Sequence, residues 1–178
     1  MCIRDSNEPG VAEREFERDV DTTLRAIYFA ASGDAGPRND PATPNPFGMV
    51  PTGRGLLDAL PVPGTLPAWL TESDLAVFVQ SYQASGFRGG LNYYRNLDRN
   101  WALQGALEGK KVDVPALFLV GERDTGLAIP GMDQIIDAMP ALVPQLRARE
   151  IIPGAGHWLQ QEAPQQVNRA LIDFLRSL

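Results

Sequence analysis

Two ionisable side chains follow two short apolar segments in the last third of the sequence. Asp124 ends the segment Val114-Pro-Ala-Leu-Phe-Leu-Val-Gly-Glu-Arg-Asp124, and His157 ends Glu150-Ile-Ile-Pro-Gly-Ala-Gly-His157. A neutral histidine can take a proton from water or a hydroxyl group when a carboxylate holds its other ring nitrogen. An acid after one strand and a histidine after the next are the last two members of a nucleophile–acid–histidine triad. We therefore predict Asp124 as the triad acid and His157 as the general base.

A structural role is the competing interpretation for both residues. A Gly-X-Gly-His sequence by itself is a weak signal, and an aspartate after a strand often caps a loop. His157 is, however, the single histidine of the sequence, and it follows a strand on a glycine-rich turn. Because Asp124 occupies the matching position after the previous strand, the pair favours catalysis.

Tyr94 is a third candidate. A tyrosine hydroxyl in a dry pocket can donate a hydrogen bond to a developing oxyanion. Periodicity alone favours a core role, because Tyr94 shares a helix face with Leu91, Leu97 and Trp101. The neighbouring Tyr93 points elsewhere on the helix, and we expect it to pack.

The sequence around Asp124 and His157 predicts elements of an α/β fold. Residues 116–120 are too few and too continuously apolar for a surface helix, and they predict a strand buried on both faces. Residues 147–152 predict a second strand. Open α/β sheets place their chemistry beyond the carboxyl ends of adjacent parallel strands, where the two loops meet.

Helical patterns fill most of the remaining chain. Thr71 is a predicted N-cap, Gly86 a C-terminal stop, and the last helix starts at Pro164. The other predicted helices cover 11–31, 72–85, 91–101 and 132–139, with a bend at 87–90. Residues 33–67 are irregular and rich in Pro and Gly, which is typical of a lid or linker.

Composition excludes several classes of protein. A net charge of −6 and the lack of a Lys/Arg block argue against nucleic acid, and no apolar run is long enough to span a membrane. One cysteine excludes an internal disulfide, and one histidine excludes a multi-histidine zinc site. We predict a cytoplasmic, soluble protein without metal or cofactor.

Two strands are too few for a stable sheet, so the pattern predicts the tail of a longer protein. Residues 1–6 fit nothing that follows, and we interpret them as a non-native leader, with a frayed native terminus as the alternative. The predicted organisation is a helical cap region over 7–100 and the C-terminal part of an α/β core over 101–178.

Four segments resemble the soluble epoxide hydrolases, which are α/β-hydrolases with a helical cap. The resemblance runs from about residue 8 to the C-terminus, and its most specific part is the second segment. The segments are Glu8-Pro-Gly-Val-Ala-Glu13, Ser85-Gly-Phe-Arg-Gly-Gly-Leu-Asn-Tyr-Tyr-Arg-Asn96, Val114-Pro-Ala-Leu-Phe-Leu-Val-Gly-Glu-Arg-Asp124 and Pro153-Gly-Ala-Gly-His-Trp158. The fold class implied is a partial α/β-hydrolase core, its last two parallel strands with their helices, preceded by the cap.

The resemblance implies a two-step reaction of a small apolar epoxide with water. An aspartate nucleophile opens the epoxide to an alkyl ester, and two cap tyrosines hydrogen-bond the ring oxygen. Water activated by the His–Asp pair then releases a diol. Asp124 matches the triad acid, His157 the general base and Tyr94 the second cap tyrosine. Whether the full-length protein forms a homo-oligomer is left open by the resemblance.

The sequence departs from the family pattern at the first cap tyrosine, the oxyanion hole and the nucleophile. In the family a Tyr-Phe-Gln precedes the Glu-Pro-Gly turn and supplies the first cap tyrosine, whereas Asp5-Ser-Asn7 stands here. The oxyanion-hole His-Gly-X-Pro and the nucleophile motif do not occur in this sequence. We therefore predict that this chain alone is inactive, because triad enzymes lose most of their rate with the nucleophile.

Two alternatives remain open on the sequence. Another capped α/β-hydrolase, such as a haloalkane or haloacid dehalogenase or an esterase, would use the same Asp–His pair without a tyrosine clamp. A non-catalytic helical interaction module would leave Asp124 and His157 far apart, or would bury His157 against backbone groups.

Overall fold

The computed structural model describes residues 8–40, 42–45 and 54–178, which fall into two compact units. The helical unit comprises the described parts of Met1–Ala30 and Pro44–Glu108. The sheet unit comprises the described parts of Ala31–Thr43 and Gly109–Leu178. Residues 31–43, which the sequence analysis included in the helical region, thus group with the strands.

Five α-helices form the helical unit. They are α1 (Val11–Glu17), α2 (Val20–Ala31, whose last residue belongs to the sheet unit), α3 (Glu72–Ser85), α4 (Arg88–Arg95) and α5 (Leu97–Leu103). Short 3₁₀ turns cover Leu57–Ala59 and Gln104–Leu107. Their apolar faces share one core, with these buried members: Ala12, Phe16, Val20, Leu24, Ala26, Ala30, Leu56, Leu60, Leu70, Leu75, Phe87 and Leu91.

The prediction of one helix over 11–31 is wrong, because Asp19 separates α1 from α2. The Asp19 carboxylate accepts hydrogen bonds from the Thr22 backbone N–H at 3.1 Å and the Thr22 hydroxyl at 2.7 Å. This is the N-cap arrangement that starts a new helix. The apolar spacing continues across the break, so periodicity alone could not reveal it.

The prediction of one helix over 91–101 is also wrong. The helix begins earlier, at Arg88, and the predicted bend at 87–90 is its first turn. The chain leaves helical geometry at Asn96, whose side-chain amide donates to the Asn92 carbonyl at 2.7 Å. Asparagine side chains compete in this way with the helical backbone hydrogen bonds.

The predicted ends of α3 are confirmed. The Thr71 hydroxyl accepts from the Asp74 N–H at 3.1 Å, and the Asp74 carboxylate accepts from the Thr71 N–H at 3.2 Å. The helix stops at Gly86, whose φ of 68° suits glycine. The apolar residues Leu75, Phe78, Val79 and Tyr82 of α3 are spaced to share a buried face; Leu75 is buried at 1% exposure, whereas Phe78 is 37% exposed.

Two parallel strands and three α-helices form the sheet unit. They are β1 (Ala116–Gly121), α6 (Met132–Leu142), β2 (Leu146–Ile152), α7 (Leu159–Glu162) and α8 (Pro164–Arg176). Short 3₁₀ turns cover Gly33–Ala35 and Thr125–Ala128. Both predicted strands and the start of α8 at Pro164 are confirmed, while α7 and the extension of α6 through Pro140 were not predicted.

The strands end level with each other, because Gly121 pairs with Ile152. The expectation that β1 is buried on both faces is wrong, since residues 116–120 are only partly buried. Similarly, α8 buries Val167 and Ala170 but leaves Leu175 63% exposed. Within the described residues, the sheet has only two strands. It is too small to bury the whole apolar side of α8, and its own two faces stay partly exposed.

No helix in the described ranges combines the length and the apolar character needed to cross a membrane.

Candidate active site

Asp124 stands in the loop that follows β1. Its backbone N–H donates to the Gly121 carbonyl at 3.0 Å, which turns the chain directly after the strand. Its carboxylate Oδ1 accepts from the Gly126 N–H at 2.6 Å and so caps the Thr125–Ala128 turn. Asp124 therefore does cap a loop, as the alternative interpretation of the sequence expected. The same carboxylate also makes a second contact.

That second contact is with His157, which follows β2. The His157 Nδ1 atom lies 3.1 Å from Asp124 Oδ1 and 3.2 Å from Oδ2. The His157 side chain is 39% exposed and the Asp124 side chain 16%. The interaction-module alternative predicted separated residues or a His157 held by backbone groups, and this geometry contradicts it.

The pair is electrostatically coupled. Burial acts to raise the pKa of Asp124, but the hydrogen bonds from His157 and the Gly126 N–H outweigh it and hold that pKa below the ordinary value. The hydrogen bond to Asp124 raises the pKa of His157 above its ordinary value, against the opposing effect of burial. An aspartate on Nδ1 fixes the tautomer that leaves Nε2 as the proton acceptor, which is the arrangement of a general base.

Arg38 lies close to this pair, and the sequence analysis did not identify it. Its guanidinium donates to the Ser32 carbonyl at 2.8 Å and to the Arg123 carbonyl at 2.5 Å. Its charge helps to lower the pKa of Asp124 and opposes the rise of the His157 pKa. Arg38 belongs to the irregular segment 33–67, where no periodic signal marks a functional residue.

Two carboxylates hold the loop that carries His157, and both were missed as well. Glu122 accepts from the Gly154 N–H at 2.9 Å, and Glu162 accepts from the N–H groups of Gly156 at 2.8 Å and Trp158 at 2.9 Å. Glu162 follows His157 by five residues. That short spacing is a usable sequence signal, since a carboxylate at a helix start can reach the loop before it.

Close backbone approach explains the glycines around the pair. A Cβ atom on Gly156 would collide with the backbone of Ala31, Ser32 and Gly33. A Cβ atom on Gly121 would collide with the carbonyls of Ala155 and Gly156. The two loops can meet only because these positions carry no side chain.

Tyr94 belongs to the helical unit, on α4. It is 37% exposed, and burial raises the pKa of its hydroxyl. The next residue, Arg95, pairs with the buried Glu13 of α1 at 2.7 Å and lowers the pKa of Glu13 to about 2. This ion pair fixes the segment of α4 that carries Tyr94. Tyr93 is 81% exposed, so the expectation that it packs is wrong for the described residues.

A resident metal ion has no evident ligand set in the part of the chain that the structure describes, where no group of three or more His, Cys, Asp or Glu residues could hold one. The chemistry visible in the sheet unit is that of an imidazole and a carboxylate. The expectation that no metal or cofactor takes part stays a prediction.

Comparison with known proteins gives one consistent family. No protein-family model matches the chain. Epoxide hydrolase A of Mycobacterium tuberculosis is 37% identical over 171 residues, which cover 96% of this chain and 50% of that protein. Bifunctional epoxide hydrolase 2 of Sus scrofa is 35% identical over 175 residues, covering 96% of this chain and 28% of that protein.

Solved structures agree with the sequence relatives. An epoxide hydrolase from an endophytic Streptomyces is 41% identical, has a TM-score of 0.88, and matches 98% of this chain and 51% of its own. Epoxide hydrolase I of potato, Solanum tuberosum, is 31% identical with a TM-score of 0.81, over 99% of this chain and 52% of its own. The predicted fold class, a partial α/β-hydrolase core with a helical cap region, is thereby confirmed.

The sequence resemblance is confirmed by these relatives and structures. The chain spans about half the length of Epoxide hydrolase A and of both solved structures. With identities of 31% to 41% over nearly all of its residues, this chain belongs to the epoxide hydrolase family.

Proposed function

We propose that this chain supplies the water-activating half of an epoxide hydrolase that converts a small apolar epoxide to a vicinal diol. The observation that carries the proposal is the contact of His157 Nδ1 with the Asp124 carboxylate at 3.1 Å, in a chain whose relatives are named epoxide hydrolases. A histidine held in this way can deprotonate water once a covalent ester has formed.

The reaction runs in two steps. A carboxylate nucleophile, from a part of the enzyme that these described residues do not include, attacks an epoxide carbon and breaks its bond to the ring oxygen. The phenol of Tyr94 hydrogen-bonds that oxygen as negative charge develops on it, a stabilisation that acts mainly in the transition state. Tyr94 then gives its proton to the oxygen, so that this step ends with a hydroxyl on the ester and a phenolate at Tyr94.

Hydrolysis of the resulting ester is the step assigned to this chain. His157 Nε2 takes a proton from water as the water oxygen attacks the ester carbonyl, and it returns that proton to the alkyl oxygen as the acyl–oxygen bond breaks and the diol leaves. The second proton of the water stays on the regenerated carboxyl group and passes to the Tyr94 phenolate, which restores both groups. Asp124 stabilises the imidazolium that forms. Because the pKa of His157 is raised, the rate of ester hydrolysis rises with pH as His157 loses its proton.

The experiment uses the longer polypeptide that the proposal requires, cloned with the coding sequence upstream of Asn7. The His157→Gln variant, incubated with an aromatic epoxide such as styrene oxide, should accumulate a covalent adduct with the mass of the epoxide and form little diol. Intact-protein mass spectrometry detects the adduct. Continuous turnover by that variant would contradict the role of His157.

The Tyr94→Phe variant separates epoxide opening from related chemistries. We expect it to alkylate the nucleophile more slowly, because one transition-state hydrogen bond is lost. An unchanged alkylation rate would favour a haloalkane or haloacid dehalogenase or an esterase. The upstream sequence gives a second check, since a Gly-X-Ser-X-Gly nucleophile would indicate an esterase.

The chain by itself should be inactive. The 178-residue polypeptide should form no diol above the uncatalysed rate, because the described residues supply a base and its acid but no assigned nucleophile. Diol formation by the wild-type chain that disappears in His157→Gln would overturn this part of the proposal.

A further inference from the structure

We infer that Glu162 is a positioning residue for His157, because one carboxylate holds the backbone on both sides of the histidine. Glu162 Oε2 accepts from the Gly156 N–H at 2.8 Å, and Oε1 accepts from the Trp158 N–H at 2.9 Å. The residue between them, His157, donates its own N–H to the Ala31 carbonyl at 2.9 Å. This inference rests on the proposed function, in which His157 is the base.

Helix capping does not account for this arrangement. Trp158 is the N-cap of α7, so the bond from its N–H to Glu162 is an ordinary contact within one turn. The same Glu162 Oε2 atom also accepts from the Gly33 N–H at 2.8 Å, 129 residues away in the sequence. A residue needed only to start α7 would not reach across the unit to the segment that follows α2.

The contacts form a connected set. Glu162 connects the turn at Gly33 to the loop that carries His157. The hydrogen bond from the His157 N–H to the Ala31 carbonyl is a second connection between the same two segments. A Cβ atom on Gly156 would collide with the backbone of this turn, which would have to move to admit it. Displacement of the Glu162 carboxylate would therefore remove the first connection and leave the bond from His157 to Ala31, which would loosen both the loop and the turn.

Charge adds a second effect to the geometry. Among the described residues, Asp124 and Glu162 favour the protonated form of the His157 imidazole, and Arg38 opposes it. Charge-assisted hydrogen bonds from backbone N–H groups to a carboxylate are also stronger than neutral ones. Replacement of Glu162 by glutamine keeps a carbonyl oxygen but removes the charge, and replacement by alanine removes both.

The first test follows the His157 imidazole by NMR in the chain itself. His157 is the single histidine of the sequence, so its ring protons give one unambiguous titration curve. We expect the pKa of His157 to fall in Glu162→Gln, by less than in Asp124→Asn. The control Glu150→Gln removes the same charge from an exposed position of β2 and should leave the pKa unchanged. Equal curves for wild type and Glu162→Gln would overturn the inference.

The second test separates the two chemical steps in the longer enzyme. Glu162→Ala should slow ester hydrolysis about tenfold to a hundredfold, since misplacing a catalytic group by about 1 Å costs on the order of 10²-fold. The rate of alkylation, which does not use His157, should be unchanged, and Glu162→Gln should recover part of the loss. Equal losses in both steps would show a general structural role and overturn the inference.

The two tests also distinguish failure of the inference from failure of the proposed function. If the wild-type enzyme forms no covalent ester with the epoxide, the proposed reaction is wrong, while the NMR titration still decides whether Glu162 positions His157.

Discussion

At the scale of single residues, the Asp124–His157 pair should stabilise the protein only within a pH window. The pKa of Asp124 lies below its ordinary 3.8, so its contribution is present above pH 3.8 and is lost as the pH falls through the lowered value. The pKa of His157 lies above its ordinary 6.5, so its contribution is present below pH 6.5 and is lost as the pH rises through the raised value. The pair should therefore contribute most between these two ordinary values.

Urea unfolding at a series of pH values checks this window. The difference in free energy of unfolding between wild type and Asp124→Asn should shrink over the pH range from 6.5 up through the raised pKa of His157, because His157 loses its charge there. A difference that stays constant over the range would contradict the pairing of a charged His157 with Asp124.

Thr125, next to Asp124, carries a buried hydroxyl without a partner among the described residues. A buried hydroxyl of this kind lowers stability, so Thr125→Val should raise the free energy of unfolding by about 1 kcal/mol. Thr23 is the matched control, because it is equally buried but its hydroxyl donates to the Phe16 carbonyl at 2.9 Å. Thr23→Val should lower stability by about 1 kcal/mol; changes of the same sign in both variants would refute the distinction.

At the scale of elements, the meeting of the two loops depends on glycine. Gly156→Ala should lower the free energy of unfolding by about 1 to 3 kcal/mol, because the new Cβ collides with backbone that must move. Gly89→Ala is the control: it lies in α4 with open space around it and should raise stability by about 0.5 to 1 kcal/mol. Urea unfolding measures both. An unchanged free energy of unfolding in Gly156→Ala would contradict the prediction, because it would show that the backbone at 31–33 moves at little cost.

The sequence identified β1 and β2 because their apolar runs end at glycine or proline, and α8 because Pro164 suits a first helical turn. The Asp–His contact followed from parallel pairing of the strands. Prediction from the sequence failed at Asp19 and Asn96, where one polar side chain interrupts a predicted helix while the apolar spacing continues. Arg38 and its contacts could not be predicted, because the bonds join segments far apart in a chain that shows no periodicity there. Long-range hydrogen bonds of loops leave no local pattern.

At the scale of the whole molecule, the two units differ in the size of their cores. Among the described residues, the helical unit has a core cluster of twelve buried residues and the sheet unit one of five. Since burial of apolar surface is the main stabilising term, backbone amides of α2 should exchange with solvent more slowly than those of β1 and β2 in the chain alone. Hydrogen-exchange mass spectrometry checks this order, and equal protection would contradict it.

The bond between Gly33 and Glu162 also has a consequence for synthesis on the ribosome. The helical unit is encoded entirely before residue 109, so its core can assemble while translation continues. The turn at Gly33 must wait for Glu162, 129 residues later, before its amide gains an acceptor. The loop that carries His157 therefore cannot complete these contacts until Glu162 has been synthesised, long after the residues of the helical unit have left the ribosome.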